Sequence, residues 1–137
     1  MNGFVKFYAF LQYRRAVQMA DKAHEENGAR FYVMPNARGK IRLIVTDRKN
    51  FRRLRMKHYI DSNVKMEDVL QHCFYYTPYA SGDGAITEAE ATAKLARYYA
   101  WVDRRRKRKS KLANGKRGLA GFFKSLYIRK QRSKSSQ

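Results

Sequence analysis

Apolar positions recur at helical spacing in the first part of the chain, from about Tyr8 to Asn27. The charged residues Asp21, Lys22, Glu25 and Glu26 lie off the apolar face, and Gly28 follows, as is typical of the C-terminal end of a helix. The preceding aromatic run, Phe4 to Leu11, fits either a strand or an earlier start of the same helix, and we favour the helix. The apolar face of this predicted helix carries Tyr13, Ala16, Val17, Ala20 and His24.

The pattern then changes to two short runs rich in aromatic and β-branched residues, Phe31–Pro35 and Lys40–Val45. Such runs favour strands. The residues between them, Asn36–Gly39, supply a glycine where a hairpin often needs a positive φ. The sequence therefore predicts a β-hairpin, with Pro35 ending its strand or lying at a sheet edge.

Two helices are predicted after the hairpin. Thr46 or Asp47 is placed to cap the first, which runs to about His58 and has one apolar edge and one cationic face. The second covers Val64–Tyr76 and turns Phe74 toward the core. A loop rich in Gly, Pro and Ser, residues 77–84, follows it and marks the clearest break in the chain.

The longest helix begins at Thr87, because Thr87 with Glu90 forms a capping-box pattern. It runs into a stretch of basic residues without an apolar face, and Asn114-Gly115 is expected to end it. A last short amphipathic helix is predicted from Leu119 to about Arg129, and residues 132–137 read as a disordered tail.

Together these elements predict a small single α+β domain with an N-terminal helix, a β-hairpin, three or four further helices and a basic helical C-terminal extension. Residues 1–103 would form the compact domain, and residues 104–137 the polybasic helical extension and disordered tail. A length of 137 residues fits one hydrophobic core.

Charge is the strongest feature of the composition. The chain has 31 Lys and Arg against 11 Asp and Glu, a net charge of +20. Residues 104–137 hold 14 of the basic residues and no acid, which leaves 17 − 11 = +6 for residues 1–103. Such an excess attracts polyanions, nucleic acid foremost.

Other functional classes find little support in the sequence. It has no long apolar run to span a bilayer and no apparent secretory signal, and its single cysteine, Cys73, fits a reducing compartment. We therefore expect a cytoplasmic protein. The three histidines do not have the paired spacing of metal ligands, so no metal or other cofactor is expected.

Two stretches, Gly28–Pro35 and Leu43–Arg52, resemble small basic proteins of gut Bacteroidales and their phages. No activity, cofactor or site is attached to that group. The resemblance implies a bacterial or phage setting and leaves function to be argued from the residues.

The polybasic run is the main predicted nucleic-acid contact, because Lys and Arg that meet phosphates release counterions and supply affinity independent of sequence. Mixed charges would serve solubility better than this acid-free run. The cationic face of the helix after the hairpin is the second. The predicted contacts are Arg104, Arg105, Arg106, Lys107, Arg108, Lys109, Lys111, Lys116 and Arg117 in the first region, and Lys49, Arg52, Arg53 and Lys57 in the second.

Several alternatives stay open. The two helices after the hairpin superficially match a DNA-reading helix-turn-helix. Tyr75 and Tyr79 are candidates for stacking on unpaired bases. A structural role in a ribonucleoprotein or phage particle would combine a basic tail along RNA or DNA with docking on protein. The stripe available to dock on the domain itself, or on a protein partner, is Leu119, Phe122, Phe123 and Leu126.

Catalysis is not predicted, since no nucleophile–base pair emerges from the spacing. The best enzymatic alternative is a small metal-free ribonuclease, in which basic and phenolic side chains assist phosphoryl transfer. His58, Arg52 and Tyr59 would be its parts. The leading hypothesis remains a non-enzymatic protein that contacts the phosphates of DNA or RNA.

Overall fold

The structure, a computed structural model, describes the backbone of residues 1–135 and the side chains of residues 1–112. Within these residues the fold is α+β, as predicted, with four α-helices and a three-stranded antiparallel sheet. The elements are α1 (Gly3–Asn27), β1 (Phe31–Pro35), β2 (Leu43–Asp47), α2 (Arg48–Met56), a 3-10 turn (Met66–Asp68), α3 (Val69–His72), β3 (Tyr75–Tyr76) and α4 (Glu88–Ser135). The chain divides into two units, Met1–Arg105 and Arg106–Gln137.

Helix α1 begins and ends at local caps. The Asn2 side chain accepts a hydrogen bond from the Val5 amide at 2.9 Å. Gly28 ends the helix with φ 73°, and its amide donates to the His24 carbonyl at 2.7 Å. The glycine stop is confirmed, and so is the helical conformation of the aromatic run at the start.

Strand β1 is the centre of the sheet, paired antiparallel with β2 on one side and β3 on the other. Its side chains alternate between two hydrophobic clusters, as strand geometry requires. Phe31 and Val33 pack with Ala16 and Ala20 of α1. Tyr32 and Met34 pack on the opposite face, in a cluster completed by Phe51, Ile60, Val64, Val69, Cys73 and Tyr76.

The second strand of the hairpin begins at Leu43, three residues later than predicted. The register pairs Pro35 with Leu43, and the Asn36 amide closes the loop on the Arg42 carbonyl at 3.1 Å. The next amide of the loop, that of Ala37, does not bond to β2 but donates to the Tyr59 carbonyl at 2.9 Å. Pro35 ends its strand as expected.

The predicted helix over Val64–Tyr76 is wrong: the segment forms the 3-10 turn, one turn of α3 and then β3. Tyr76 pairs with Tyr32, and the Phe74 amide donates to the Val33 carbonyl at 2.8 Å. At the end of α3, the ammonium group of Lys94 on α4 donates a hydrogen bond to the Cys73 carbonyl at 2.9 Å. Tertiary contacts override helical periodicity here.

Helix α4 begins as predicted, with the Thr87 hydroxyl accepting from the Glu90 amide at 3.2 Å. The predicted end at Asn114-Gly115 is wrong, and with it the separate short helix and the start of the tail at 132, since α4 continues to Ser135. The interior of α4 contains three glycines, Gly115, Gly118 and Gly121, each of which costs about 1 kcal/mol relative to alanine. Residues 136–137 lie outside the described backbone.

A third cluster joins α1 to α4. The ring centroids of Tyr13 and Tyr98 lie 5.2 Å apart, and the two hydroxyls donate to the Phe74 and Ala9 carbonyls at 2.9 and 2.8 Å. Trp101 is buried against Phe74, and the centroids of the two rings lie 5.6 Å apart. This cluster places the first turns of α4 against α1.

Candidate nucleic-acid interface

The polybasic run lies on α4. Seven of the eight residues from Arg104 to Lys111 are basic, and successive side chains of an α-helix point about 100° apart, so the charge surrounds the helix. Arg104, Arg106, Lys107, Arg108, Lys109 and Lys111 are exposed, and Arg105 is half-buried over the Trp101 ring at 5.2 Å. Lys116 and Arg117 lie outside the described side chains, as does the proposed docking stripe Leu119, Phe122, Phe123 and Leu126.

The second predicted surface lies on α2. Asp47 caps this helix, its carboxylate accepting from the Asn50 amide at 2.9 Å, and the buried Phe51 ring fixes its rotation against the sheet. The cations therefore face outward. Within residues 1–112 none of them forms an ion pair with a carboxylate. These four exposed residues, which we call the α2 surface, are Lys49, Arg52, Arg53 and Lys57.

The structure adds Arg38, which sequence analysis missed. Its guanidinium lies 4.0 Å from the centre of the Tyr59 ring and donates to the Lys57 carbonyl, so the hairpin loop brings a further cation to the end of α2. In the sequence, Arg38 is only one basic residue inside a predicted turn. No local pattern indicates that this loop reaches α2.

The end of α2 is a left-handed turn centred on His58. The Tyr59 amide donates to the Leu54 carbonyl at 2.9 Å and the His58 amide to Arg55 at 3.0 Å, the double hydrogen bond of a Schellman motif. His58 occupies the position that usually holds glycine, with φ 63°. The His58 side chain is exposed and is not part of the hydrophobic cluster that Phe51 joins.

Two of the open alternatives now have a structural setting. The helix-turn-helix interpretation is wrong, because α3 has only four residues and cannot enter a groove as a recognition helix. The three residues of the ribonuclease hypothesis are all exposed near the end of α2, but within the described residues no hydrogen bond joins the side chains of Arg52, His58 and Tyr59.

The two tyrosines considered for base stacking differ. Tyr75 is half-buried, and its hydroxyl donates to Asp21 at 2.6 Å; burial, followed by this hydrogen bond, raises its pKa. Tyr79 is 52% exposed, but the guanidinium of Arg30 lies 3.9 Å from its ring centre. Only one face of Tyr79 is therefore available to another planar group.

The buried cysteine has no features of a nucleophile. Burial raises the pKa of the Cys73 thiol, although the neighbouring Lys94 acts in the opposite direction, so the unreactive thiol form is favoured at neutral pH.

Among the described residues no His, Cys, Asp or Glu side chains cluster as metal ligands. No helix within that part of the chain is long and apolar enough to cross a membrane.

Comparison of the chain with protein-family models, with curated proteins and with solved structures finds no match in any of the three. Fold and surface together define a small α+β domain whose exposed cations concentrate on two helices, α2 and the basic stretch of α4.

Proposed function

We propose that the protein binds nucleic acid without catalysing a reaction, and that it contacts phosphates largely independently of sequence. The observation that carries the proposal is the acid-free helical stretch from Arg104 to Lys111, in which six of the seven cations are exposed. Polyanionic nucleic acid is the partner that this charge density fits best.

The physical basis is counterion release. Each phosphate of duplex DNA that a Lys or Arg neutralises frees condensed cations, and log K falls with log salt at a slope near −0.9 per contact. If about six cations each met a phosphate, the slope would be near −5. Binding of this kind is steeply sensitive to salt.

Low sequence specificity follows from the arrangement of the cations. Direct base reading relies on a few Arg, Asn or Gln side chains held rigidly at a groove. Cations that surround a helix fix no register on the duplex. Helix α2 has only nine residues, so we assign the α2 surface a supporting contact with phosphates.

The test is a titration of the full chain against unrelated duplexes, single strands and structured RNA at several salt concentrations. Changing Arg106, Lys107, Arg108, Lys109 and Lys111 to Gln should weaken all ligands alike and reduce the salt slope by up to about 4. Changing the α2 surface to Gln is the matched control and should have a smaller effect. A preference for one sequence above about a thousandfold would indicate specific reading instead, and absence of binding at low salt would refute the proposal.

A second candidate, a component of a ribonucleoprotein or phage particle, is favoured by one observation. The side of α1 that faces away from the core carries exposed apolar residues at i, i+3, i+4 and i+7, flanked by the cations of Lys6, Arg14 and Arg15. A protein surface with an apolar centre and an acidic rim would complement it. The exposed residues are Phe4, Phe7, Tyr8 and Leu11.

Sedimentation separates the two candidates. The particle hypothesis predicts that the tagged protein in its native cell migrates in a large complex, and that Phe4→Ser with Tyr8→Ser releases it while nucleic-acid affinity in solution is unchanged. A free protein that carries nucleic acid in fractions of low mass would contradict the particle hypothesis.

A further inference from the structure

A cleft opens where the end of β1, the end of α3 and the first turns of α4 meet. Its volume is about 270 Å3. This is slightly below the volume of typical ligand sites, which measure about 300–1,000 Å3. The lining residues are Pro35, His72, Phe74, Arg97, Ala100, Trp101 and Arg104.

One side of the cleft is cationic. Arg97 and Arg104 are two helical turns apart on α4, roughly 10 Å along its axis, and both are exposed. Arg97 is held in place because its guanidinium donates to the Gln71 carbonyl at the end of α3. His72, at that same end, adds an imidazole, and no carboxylate lines the cleft.

The other side is apolar and mostly buried. Phe74 and Trp101 line the cleft but are only 3% and 8% exposed, so most of each ring lies in the core. Ala100, midway between the two arginines, is exposed and forms a small floor. The cleft thus joins cationic guanidinium groups to an aromatic wall.

We propose that this cleft receives one nucleotide of an unpaired strand. Its phosphate would lie between Arg97 and Arg104, and its base against the exposed parts of Trp101 and Phe74. The proposal rests on the proposed function and deepens it, because a base that is paired and stacked in a duplex cannot enter the cleft. Single strands therefore gain an interaction that duplexes lack.

The protein contains its own reporter of this event. Trp101 is the only tryptophan of the chain, and it lines the cleft. Binding of a short oligothymidylate should change its emission, whereas a DNA hairpin of equal length should bind at low salt and change it much less. Inorganic phosphate that reproduces the full change would show a site for anions alone and would overturn the proposal.

A substitution that fills the cleft without altering charge completes the test. Ala100→Leu should weaken oligothymidylate binding about tenfold, the scale of one lost base contact, and should leave hairpin binding unchanged. Ala93→Leu, at an exposed position of the same helix outside the cleft, is the matched control. Melting curves of both variants confirm folding.

The outcomes separate the two proposals. Equal affinity of Ala100→Leu and the unmodified chain for oligothymidylate would refute the cleft proposal while phosphate binding stands. Failure of the unmodified chain to bind either strand form at low salt would refute nucleic-acid binding itself.

Discussion

The guanidinium of Arg30 lies 3.9 Å from the centre of the Tyr79 ring and 4.5 Å from that of Tyr76. It also donates to the Thr77 carbonyl at 2.8 Å and to the Gly84 carbonyl, and it is 8% exposed. A single cation at the start of β1 thus holds both ends of the loop formed by residues 77–84.

Arg30→Lys should lower the free energy of unfolding by about 2 kcal/mol. An ammonium cannot reproduce the planar fork that spans two carbonyls while stacking on two rings, and hydrogen bonds to charged groups contribute about 1.5–3 kcal/mol each. Urea denaturation measures the change. Arg42→Lys, at an exposed position of the hairpin loop, should stay within about 0.5 kcal/mol. Equal effects would contradict the loop-holding role.

Gly84 and Gly82 offer a matched pair in the same loop. Both have left-handed φ values, 73° and 85°, but a Cβ at Gly84 would lie 3.0 Å from the Arg30 guanidinium and from the Tyr79 ring, whereas a Cβ at Gly82 meets nothing within 4 Å. Alanine at either position costs about 1 kcal/mol of backbone strain.

We expect Gly84→Ala to destabilise the fold by about 1–2 kcal/mol more than Gly82→Ala, because only the former displaces the buried Arg30 guanidinium and the Tyr79 ring. Thermal melting of the two variants provides the comparison. Identical melting midpoints of the two variants would show that the Arg30 side chain can move away from the added Cβ without loss of stability.

His58→Gly should stabilise the protein by about 1 kcal/mol. The residue has φ 63°, and glycine adopts this conformation without the steric cost that a Cβ imposes. Lys57→Gly is the control: Lys57 has φ −83°, so glycine there should destabilise by adding freedom to the unfolded chain. The same His58→Gly variant tests the ribonuclease hypothesis. If the unmodified chain cleaves RNA and the variant, although more stable, does not, the result would favour a catalytic role for His58.

Alkaline pH should destabilise the protein through its buried tyrosines. Burial raises the pKa of Tyr98 to about 12, and its hydroxyl donates to the Ala9 carbonyl. The folded state thus holds this proton more tightly than the unfolded state, where tyrosine has a pKa near 10. The resulting stability is complete below about pH 10 and is lost as the pH rises to about 12.

Comparison with Tyr98→Phe isolates this contribution. Between pH 10 and 12 the free energy of unfolding should fall more steeply for the unmodified chain than for the variant, by up to about 1.4 kcal/mol per pH unit. Urea denaturation at several pH values gives the two slopes. Parallel curves would mean that Tyr98 ionises alike in both states.

Removal of residues 106–137 should leave a folded domain that has lost most of its affinity for nucleic acid. The three hydrophobic clusters that the described residues form lie within residues 9–102, and the truncated chain keeps Arg104 and Arg105 beside Trp101. Calorimetry and tryptophan emission test the first expectation, and a salt titration the second. A truncated chain without cooperative melting would show that Phe122, Phe123 and Leu126 complete the core.

Elements with local determinants could be predicted from the sequence. Gly28, Asp47 and Thr87 end or begin their helices through hydrogen bonds within five residues, so the chain itself carries the information. Strand β3 could not be predicted, because its partners belong to β1 and α3 is ended by Lys94 of α4. Helical periodicity over 64–76 was therefore a misleading local preference.

The candidate site divides in the same way. The polybasic run is visible in the sequence because its charge is contiguous. The recruitment of Arg38 to α2 depends on the hairpin loop folding across to Tyr59. The cleft likewise depends on Pro35, His72 and α4 meeting in space, and neither Arg97 nor Ala100 differs locally from an ordinary solvent-facing helix residue.

The position of β1 between its two partners has a kinetic consequence. Pairing with β2 closes a short loop, whereas the register of Tyr32 with Tyr76 joins residues 76 − 32 = 44 positions apart. Hairpins form in about 1–10 μs, and distant pairings are slower because they must first overcome the entropy of closing a longer loop. We therefore expect the β1–β2 hairpin to form before the complete sheet, and the distant pairing of β1 with β3 to be the slower step.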